Sequence, residues 1–208
     1  MARGKFITFE GGEGGGKSTQ TAHLAGFLDS RGIEVIETRE PGGTPQGEAL
    51  RDLVVQGDPE RWTAMSELMM MTAARIEHIE RLIEPALAAG KWVICDRFCD
   101  STLAYQGIAG ELDLDMVRML QEYAVGKTMP DLTFLLDLPP DSGLKRAETR
   151  GGEARFEKKG RAFHEKLRDG FLALAAEAPE RIIVIDAENS FDDVCRQIET
   201  ELLNRLTL

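Results

Sequence analysis

The sequence predicts an α/β protein of three layers, with a five-stranded parallel sheet covered by helices on both faces. Short apolar segments of strand length alternate with longer segments of helical periodicity along the 208-residue chain, a pattern typical of parallel sheets. The first apolar segment also runs directly into a glycine-rich loop and then a helix. We expect a single domain over residues 1–208, with one well-buried core.

Composition and charge narrow the class of partner. Hydrophobic residues make up 42% and charged residues 29%, as in ordinary globular proteins, and the formal net charge is -11. An acidic surface disfavours a polynucleotide partner, whereas a small nucleotide can still be bound by local arginines. The chain contains no run near the roughly 20 apolar residues of a membrane span, no signal-peptide core and no C-x-x-C pair. We therefore expect a cytoplasmic protein with no membrane partner.

The glycine-rich loop fits the pattern G-x-x-x-x-G-K-[ST]. Its residues are Gly11, Gly12, Glu13, Gly14, Gly15, Gly16, Lys17 and Ser18, followed by Thr19. The glycines let backbone N–H groups turn toward a polyphosphate, Lys17 reaches the outer phosphates, and the Ser18 hydroxyl suits Mg²⁺. A plain flexible turn would need neither side chain. We expect a strand at 5–10 before the loop and a helix at 19–31 after it. The order strand, glycine loop, helix predicts the P-loop NTPase fold.

The remaining elements follow from apolar periodicity. Further strands are expected at 34–38, 92–95, 132–138 and 181–186, and helices at 60–89, 112–125, 141–149, 163–178 and 190–206. Asp58 and Pro59 favour the start of the long helix, and Pro85 should break it. The broad apolar face of this helix fits either a second copy of the chain or a fully buried core position.

Two further segments indicate phosphate chemistry. Asp96 and Arg97 follow the third strand at the edge of a parallel sheet where ligands bind, and Asp96 can hold the water shell of Mg²⁺ with Ser18. Residues 145–160 are dense in charge and interrupted by glycines. A solvated surface is the ordinary interpretation, but beside a P-loop we expect a mobile lid that brings Arg150 or Arg155 over the transferred group.

Several segments together resemble bacterial thymidylate kinases, which transfer phosphate from ATP to dTMP. They are Phe9–Gly11 leading into the P-loop, Thr38–Thr44, Ala74 and Arg75, Asp96–Phe98 with Ser101–Gly107, Pro130–Asp137, and Gly143–Ala147. The matches cover nearly the whole chain in order. The P-loop alone indicates only a superfamily, whereas the Arg-Glu-Pro-Gly-Gly and Asp-Arg-Phe elements indicate this particular family.

The resemblance implies roles for individual residues of the acceptor site. Arg97, joined by Arg51, would contact the acceptor phosphate, and Arg75 would contact O4 of thymine. The other implied acceptor contacts are Thr102 and Gln106 to the base, Tyr105 under the sugar, Glu13 to the 3′-hydroxyl, and Pro41 and Ser101 beside them. A neutral base is recognised by hydrogen bonds and a dianionic phosphate by arginine forks.

Two positions bear on mechanism and selectivity. No arginine lies at positions 12 to 15 of the loop, so the resemblance assigns the catalytic arginine to the lid, at Arg150 or Arg155. Met71 stands where the family usually has an aromatic ring on thymine, and a thioether can also pack on a ring. The resemblance further implies a homodimer through residues 60–89.

Three other functions are compatible with a P-loop. The nearest is another nucleotide or nucleoside kinase of the same fold. A regulatory GTPase would need a guanine-binding Asn-Lys-x-Asp stretch, which the sequence lacks. A nucleic-acid-dependent ATPase is disfavoured by the acidic charge.

Overall fold

The computed structural model describes residues 2–150 and 155–207, without the side chain of Arg150. Its sheet consists of β1 (Phe6–Glu10), β2 (Val35–Arg39), β3 (Trp92–Asp96), β4 (Leu132–Asp137) and β5 (Ile182–Asp186). All neighbouring strands are parallel, in the order β2-β3-β1-β4-β5. The predicted five-stranded parallel sheet is confirmed, with β1 at its centre.

Helices connect these strands. They are α1 (Lys17–Asp29), α2 (Pro45–Val55), α3 (Ala64–His78), α4 (Glu84–Ala88), α5 (Cys99–Thr102), α6 (Leu114–Val125), α7 (Pro140–Arg150), α8 (Arg161–Glu177) and α9 (Phe191–Arg205). A π-helical turn, Ile79–Ile83, joins α3 to α4, and another π-helical stretch, Leu103–Ala109, follows α5. Within the described ranges, no helix is long and apolar enough to cross a bilayer.

The sheet is covered on both faces, as predicted. Successive side chains of a strand point to opposite faces, and β4 divides its residues accordingly. Phe134 and Leu136 pack with Leu24 and Ile198 of the α1 and α9 layer, whereas Leu135 packs with the cluster on the opposite face. The core therefore lies in two apolar layers, one on each side of the sheet.

Helix boundaries differ from the prediction at residues 58–63. The long helix begins at Ala64, because Thr63 is its cap and accepts a 3.2 Å bond from the Ser66 N–H. Asp58 instead accepts from the Glu60 N–H in a short turn, so its assignment as the helix start was wrong. The expected break near Pro85 takes the form of the π-helical turn before α4.

The strand order positions the functional residues. Phe9 of β1 pairs with Asp96 of β3, so the glycine loop after β1 and the Asp96–Arg97 pair leave the same edge of the sheet. This is the carboxyl edge of parallel strands, where ligands of open α/β sheets bind.

Candidate active site

The glycine loop turns tightly between β1 and α1. Gly11 and Gly16 have φ of 130° and 86°, values open to glycine at little cost. The Lys17 Nζ donates to the carbonyl oxygens of Gly12 at 2.7 Å and Gly11 at 3.2 Å. Burial and the nearby Arg97 cation lower the pKa of Lys17 to about 8. The loop thus holds a partly destabilised cation that a polyphosphate would stabilise.

Ser18 and Asp96 meet beside the loop. The Ser18 hydroxyl donates to Asp96 Oδ2 at 2.6 Å, and Thr19 lies exposed next to Ser18 in the first turn of α1. A hydroxyl and a carboxylate oxygen are the hard donors that Mg²⁺ prefers, with substrate phosphates and water completing its shell. The predicted pair therefore fits a magnesium ion by its donor chemistry.

Arg97 links the loop to a neighbouring cavity. Its backbone is left-handed, with φ of 71°, which is uncommon outside glycine. The guanidinium donates to the Gly11 carbonyl at 2.8 Å and to Ser101 Oγ at 3.2 Å, and it lies 4.9 Å from the Tyr105 ring centroid. The Gly11 carbonyl therefore accepts from both Lys17 and Arg97.

Glu13 extends from the loop into the same cavity. Its Oε1 accepts from Tyr105 Oη at 2.7 Å and from Arg97 Nη2 at 3.2 Å. Burial alone would raise the pKa of Glu13, but the Arg97 and Lys17 cations and the Tyr105 bond lower it to about 2. Glu13 is an ionised acceptor at every physiological pH.

Arg75 lies 2% exposed at the other end of the cavity. It donates from Nε to Glu40 at 2.7 Å, from Nη1 to Thr102 Oγ1 at 3.0 Å and to Gln121 Oε1, and from Nη2 to the Phe98 carbonyl at 3.0 Å. A guanidinium has five N–H donors, and these partners in the described chain use four. One N–H on Nη2 is left to offer to a ligand.

One cavity collects the predicted acceptor residues. It encloses about 770 Å³, its open mouth included. All ten predicted residues line it: Glu13, Pro41, Arg51, Met71, Arg75, Arg97, Ser101, Thr102, Tyr105 and Gln106. Arg51 is fixed there by a 2.8 Å bond from Nη1 to the Pro41 carbonyl. Their individual roles remain predictions.

The structure adds lining residues to which the sequence analysis assigned no role in the site: Glu40, Val55, Phe98, Phe156 and Glu157. Phe156 packs edge-on against Tyr105, with ring centroids 5.4 Å apart, so the cavity gains an aromatic wall despite Met71. The only sequence signal for Phe156 is an isolated aromatic in a charged segment.

Glu10 is a further residue that the sequence analysis missed. It is 1% exposed at the end of β1 and accepts from the Phe98 N–H at 2.7 Å and from Ser101 Oγ at 2.5 Å. Burial, with the nearby Asp100 carboxylate, raises the pKa of Glu10 to about 8. Glu10 fixes the start of α5 to the strand that leads into the loop.

The structure does not bring Arg155 to the cavity. Arg155 is fully buried and absent from the cavity lining. It donates to the carbonyls of Val54, Asp58 and Pro59 and forms a 2.5 Å ion pair with Glu67. In this conformation the guanidinium braces the α2–α3 connection and does not lie over a phosphate. The Arg150 side chain and residues 151–154 lie outside the described part of the chain.

The loop and α7 approach each other closely. A Cβ added to Gly14 would lie 2.0 Å from the Gly143 carbonyl oxygen, and one added to Gly143 would lie 2.3 Å from the Glu13 carbonyl oxygen. Only hydrogen fits on either side of this contact. The helix that leads toward the predicted lid therefore rests directly on the phosphate-binding loop.

A glycine loop at the end of the central parallel strand, beside a cavity lined by arginines and hydrogen-bonding side chains, is typical of the class of P-loop kinases. The family model described as Thymidylate kinase matches residues 9–198. The chain is 52% identical over 208 residues to a thymidylate kinase of Caulobacter vibrioides, covering all of both chains.

Further comparisons agree. A thymidylate kinase of Magnetococcus marinus is 48% identical over 98% of this chain and 97% of its own. The crystal structure of thymidylate kinase from Ehrlichia chaffeensis superposes with a TM-score of 0.80 at 34% identity, covering 97% of this chain and 99% of that one. The chain belongs to the thymidylate kinase family.

Proposed function

We propose that this protein transfers the γ-phosphoryl group of ATP to dTMP, giving ADP and dTDP. The observation that carries the proposal is the junction at Gly11, where the glycine loop meets a cavity lined by three arginines and by hydrogen-bonding side chains. Membership of the thymidylate kinase family supports the same reaction.

The donor nucleotide binds along Gly11–Thr19. Backbone N–H groups of the loop and the α1 N-terminus face its phosphates, and Lys17 neutralises the β- and γ-phosphates. Ser18 and Asp96 would hold Mg²⁺, which supplies charge neutralisation of the phosphates. The Ser18–Asp96 bond of 2.6 Å keeps both oxygens on one side of the loop.

The acceptor occupies the cavity. Arg97, with Arg51, orients the dTMP phosphate, while Glu13 and Tyr105 contact the sugar. An acceptor-phosphate oxygen attacks the γ-phosphorus in line, the bond to the β-phosphate oxygen breaks, and ADP departs without a covalent enzyme intermediate. Arg75, Thr102 and Gln106 hold the thymine edge, and Met71 packs on the base.

A lid over residues 145–160 completes the site in this proposal. Phe156 lines the cavity, and closing the segment further excludes water that would hydrolyse ATP. Because Arg155 is held by Glu67, Arg150 is the better candidate for the catalytic arginine. Replacing such an arginine costs about 10³- to 10⁵-fold in kcat.

The assembly we propose is a homodimer through α3. Met65 and Met69 of α3 are exposed, as are Met119 and Tyr123 of the adjacent α6. Exposed methionines and an aromatic on neighbouring helices are typical of interface cores. The setting we propose is the cytoplasm, with nucleotides as partners and no polynucleotide, in keeping with the net charge of -11.

The test is an ADP-release assay with Mg²⁺ and ATP against dTMP, dUMP, dCMP, dGMP, AMP and thymidine, with products identified by chromatography. Turnover concentrated on dTMP, giving dTDP, supports the proposal. Turnover of another monophosphate would keep the P-loop chemistry and reject the thymine contacts. Strong ATP hydrolysis stimulated by DNA, without dTMP turnover, would instead favour a nucleic-acid-dependent ATPase.

A further inference from the structure

Glu67 of α3 contacts two functional segments at once. Its Oε1 accepts from Gln106 Nε2 at 2.7 Å, and its Oε2 accepts from Arg155 Nη1 at 2.5 Å. Glu67 is 4% exposed and does not line the cavity. The carboxylate therefore lies behind the cavity wall, between Gln106 and the Arg155 brace.

The Glu67 carboxylate determines which way the Gln106 amide faces. An ionised carboxylate accepts hydrogen bonds and cannot donate them. Gln106 must therefore direct its NH₂ group toward Glu67, which leaves its carbonyl oxygen on the other side. That Oε1 accepts no hydrogen bond from the described residues, and Gln106 lines the cavity. The cavity thus receives an acceptor at Gln106.

Arg75 supplies the complementary donor. Its remaining Nη2 N–H, together with Gln106 Oε1, presents one donor and one acceptor to the same cavity. This pair matches the O4 and N3–H of thymine or uracil. Cytosine presents the reverse pattern, an amino group at C4 and an unprotonated N3, and would leave buried polar groups unpaired.

We propose that Glu67 is a positioning residue that fixes the hydrogen-bond polarity of Gln106 and so selects a thymine-type edge over a cytosine-type edge. Arg155 holds Glu67 in turn, which connects the segment after α7 to base selection. The inference rests on the proposed function, since it concerns the base of the dTMP acceptor.

The decisive variant is Glu67→Gln. The buried Arg155 N–H still needs an acceptor, so the new amide keeps its oxygen toward Arg155 and its NH₂ toward Gln106. Gln106 must then turn over and present its own NH₂ to the cavity. We expect kcat/KM to fall about tenfold or more for dTMP and for dUMP, the scale of one hydrogen bond replaced by a repulsive contact.

The specificity ratio separates positioning from general destabilisation. Against 5-methyl-dCMP, which keeps the methyl group and differs only at the edge, the dTMP preference should fall about tenfold or more in kcat/KM and in Kd by calorimetry. The dTMP-to-dUMP ratio should stay unchanged, because both bases share the edge. Glu77→Gln is the matched control on the same helix, because Glu77 does not line the cavity and pairs with Arg81 at 3.5 Å. This variant should keep both specificity ratios, dTMP to 5-methyl-dCMP and dTMP to dUMP.

A double variant tests whether the original orientation of the Gln106 amide can be restored. In Glu67→Gln/Arg155→Met no cation holds the new amide, so its oxygen can turn to Gln106 and restore the original polarity. The dTMP preference should return to within about threefold of the wild type. This double variant also leaves no buried unpaired charge.

Three results would overturn the inference. An equal loss for all three nucleotides in Glu67→Gln would make Glu67 merely structural, and a double variant no better than the single one would remove the role of Arg155. If Glu67→Gln does not fold, Gln106→Met, which keeps the ion pair, must lower the dTMP preference over 5-methyl-dCMP, and an unchanged preference rejects the proposal. Wild-type protein that ignores dTMP would instead reject the proposed function, which is apparent before any variant is made.

Discussion

The hydroxyl of Tyr105 and Glu13 Oε1 lie 2.7 Å apart, in a hydrogen bond that joins the π-helical stretch after α5 to the phosphate-binding loop. The same oxygen faces Arg97, and the Arg97 guanidinium lies over the Tyr105 ring. The three side chains form one contact between the proposed donor and acceptor sites. A change at Tyr105 should therefore affect acceptor binding without unfolding the protein.

Tyr105→Phe should raise the KM for dTMP about threefold to tenfold, because it removes one hydrogen bond of about 0.5–1.5 kcal/mol. The KM for ATP and the melting temperature should change little, since the ring still packs against Phe156 and Phe171. Steady-state kinetics with both substrates measures this. Tyr123→Phe is the control, as Tyr123 is 84% exposed on α6; equal effects of the two variants would refute the role of the bond.

Lys17 should make ATP binding depend on pH above about 8. Burial and the Arg97 cation lower the pKa of Lys17 to about 8 in the free protein. Bound phosphate favours the charged amine, so ATP binding raises the pKa of Lys17. Below about pH 8 the amine is already protonated, so binding takes up no proton there. Above about pH 8 the Lys17 amine must take up a proton when ATP binds, so the association constant for ATP falls by up to about tenfold per pH unit.

Calorimetry in two buffers of different ionisation enthalpy measures that proton uptake. The contribution of Lys17 to the proton uptake should be near zero at neutral pH and should approach one proton per bound ATP as the pH rises past 8. The control is Lys17→Met, in which this contribution should vanish. Identical uptake in the variant would assign the proton to another group.

Gly143→Ala should destabilise the protein by about 1–3 kcal/mol, the usual range for overpacking. The new Cβ would lie 2.3 Å from the Glu13 carbonyl oxygen, so either the loop or α7 must move, and kcat should fall as well. Urea unfolding with activity measurements tests both effects. Gly26→Ala, in open space on α1, should instead stabilise by about 0.5–1 kcal/mol.

Arg155→Ala should mainly reduce stability. It leaves Glu67 as a buried unpaired carboxylate, at a cost of about 3–5 kcal/mol. Thermal or urea unfolding measures the loss, and the exposed Arg161→Ala should leave the melting temperature nearly unchanged. A variant of Arg155 that keeps full stability but loses kcat would restore the catalytic assignment.

Met69→Glu should weaken the proposed dimer, because it places a charge among the exposed apolar residues of α3 and α6 that we propose for the interface. Light scattering after size exclusion should show a dimer for the wild type and a shift toward monomer for the variant at low concentration. Phe191→Glu is the control on α9, where the side chain is as exposed as Met69. A wild-type monomer would reject this assembly.

The sheet and the loop were predictable because their signals are local. Short apolar segments of strand length, such as residues 92–95 and 182–185, indicate strands of a buried sheet, and the spacing around Lys17 specifies the phosphate loop. The ten acceptor residues came from the resemblance, and the structure brings them into one cavity. Their roles in binding remain predictions.

The missed features depend on contacts between distant segments. Helix α2 contains Pro45 and Gly47, which favour a loop in sequence, yet the Thr44 side chain caps it at 3.0 Å. Arg155 and Glu67 pair across 88 positions, so nothing local distinguishes Arg155 from an exposed lid arginine. The charge density of the segment indicated a mobile lid, whereas four acceptors from the α2–α3 region hold the Arg155 side chain inside the protein.

The shared carbonyl of Gly11 has a consequence for how such an enzyme can change. It accepts from Lys17 at 3.2 Å and from Arg97 at 2.8 Å, so a main-chain atom sets the spacing between the cation that we propose for the donor phosphates and the cation that we propose for the acceptor phosphate. No side-chain replacement deletes that atom. Selection or engineering can therefore exchange the groups that recognise the base while the geometry of phosphoryl transfer is inherited intact.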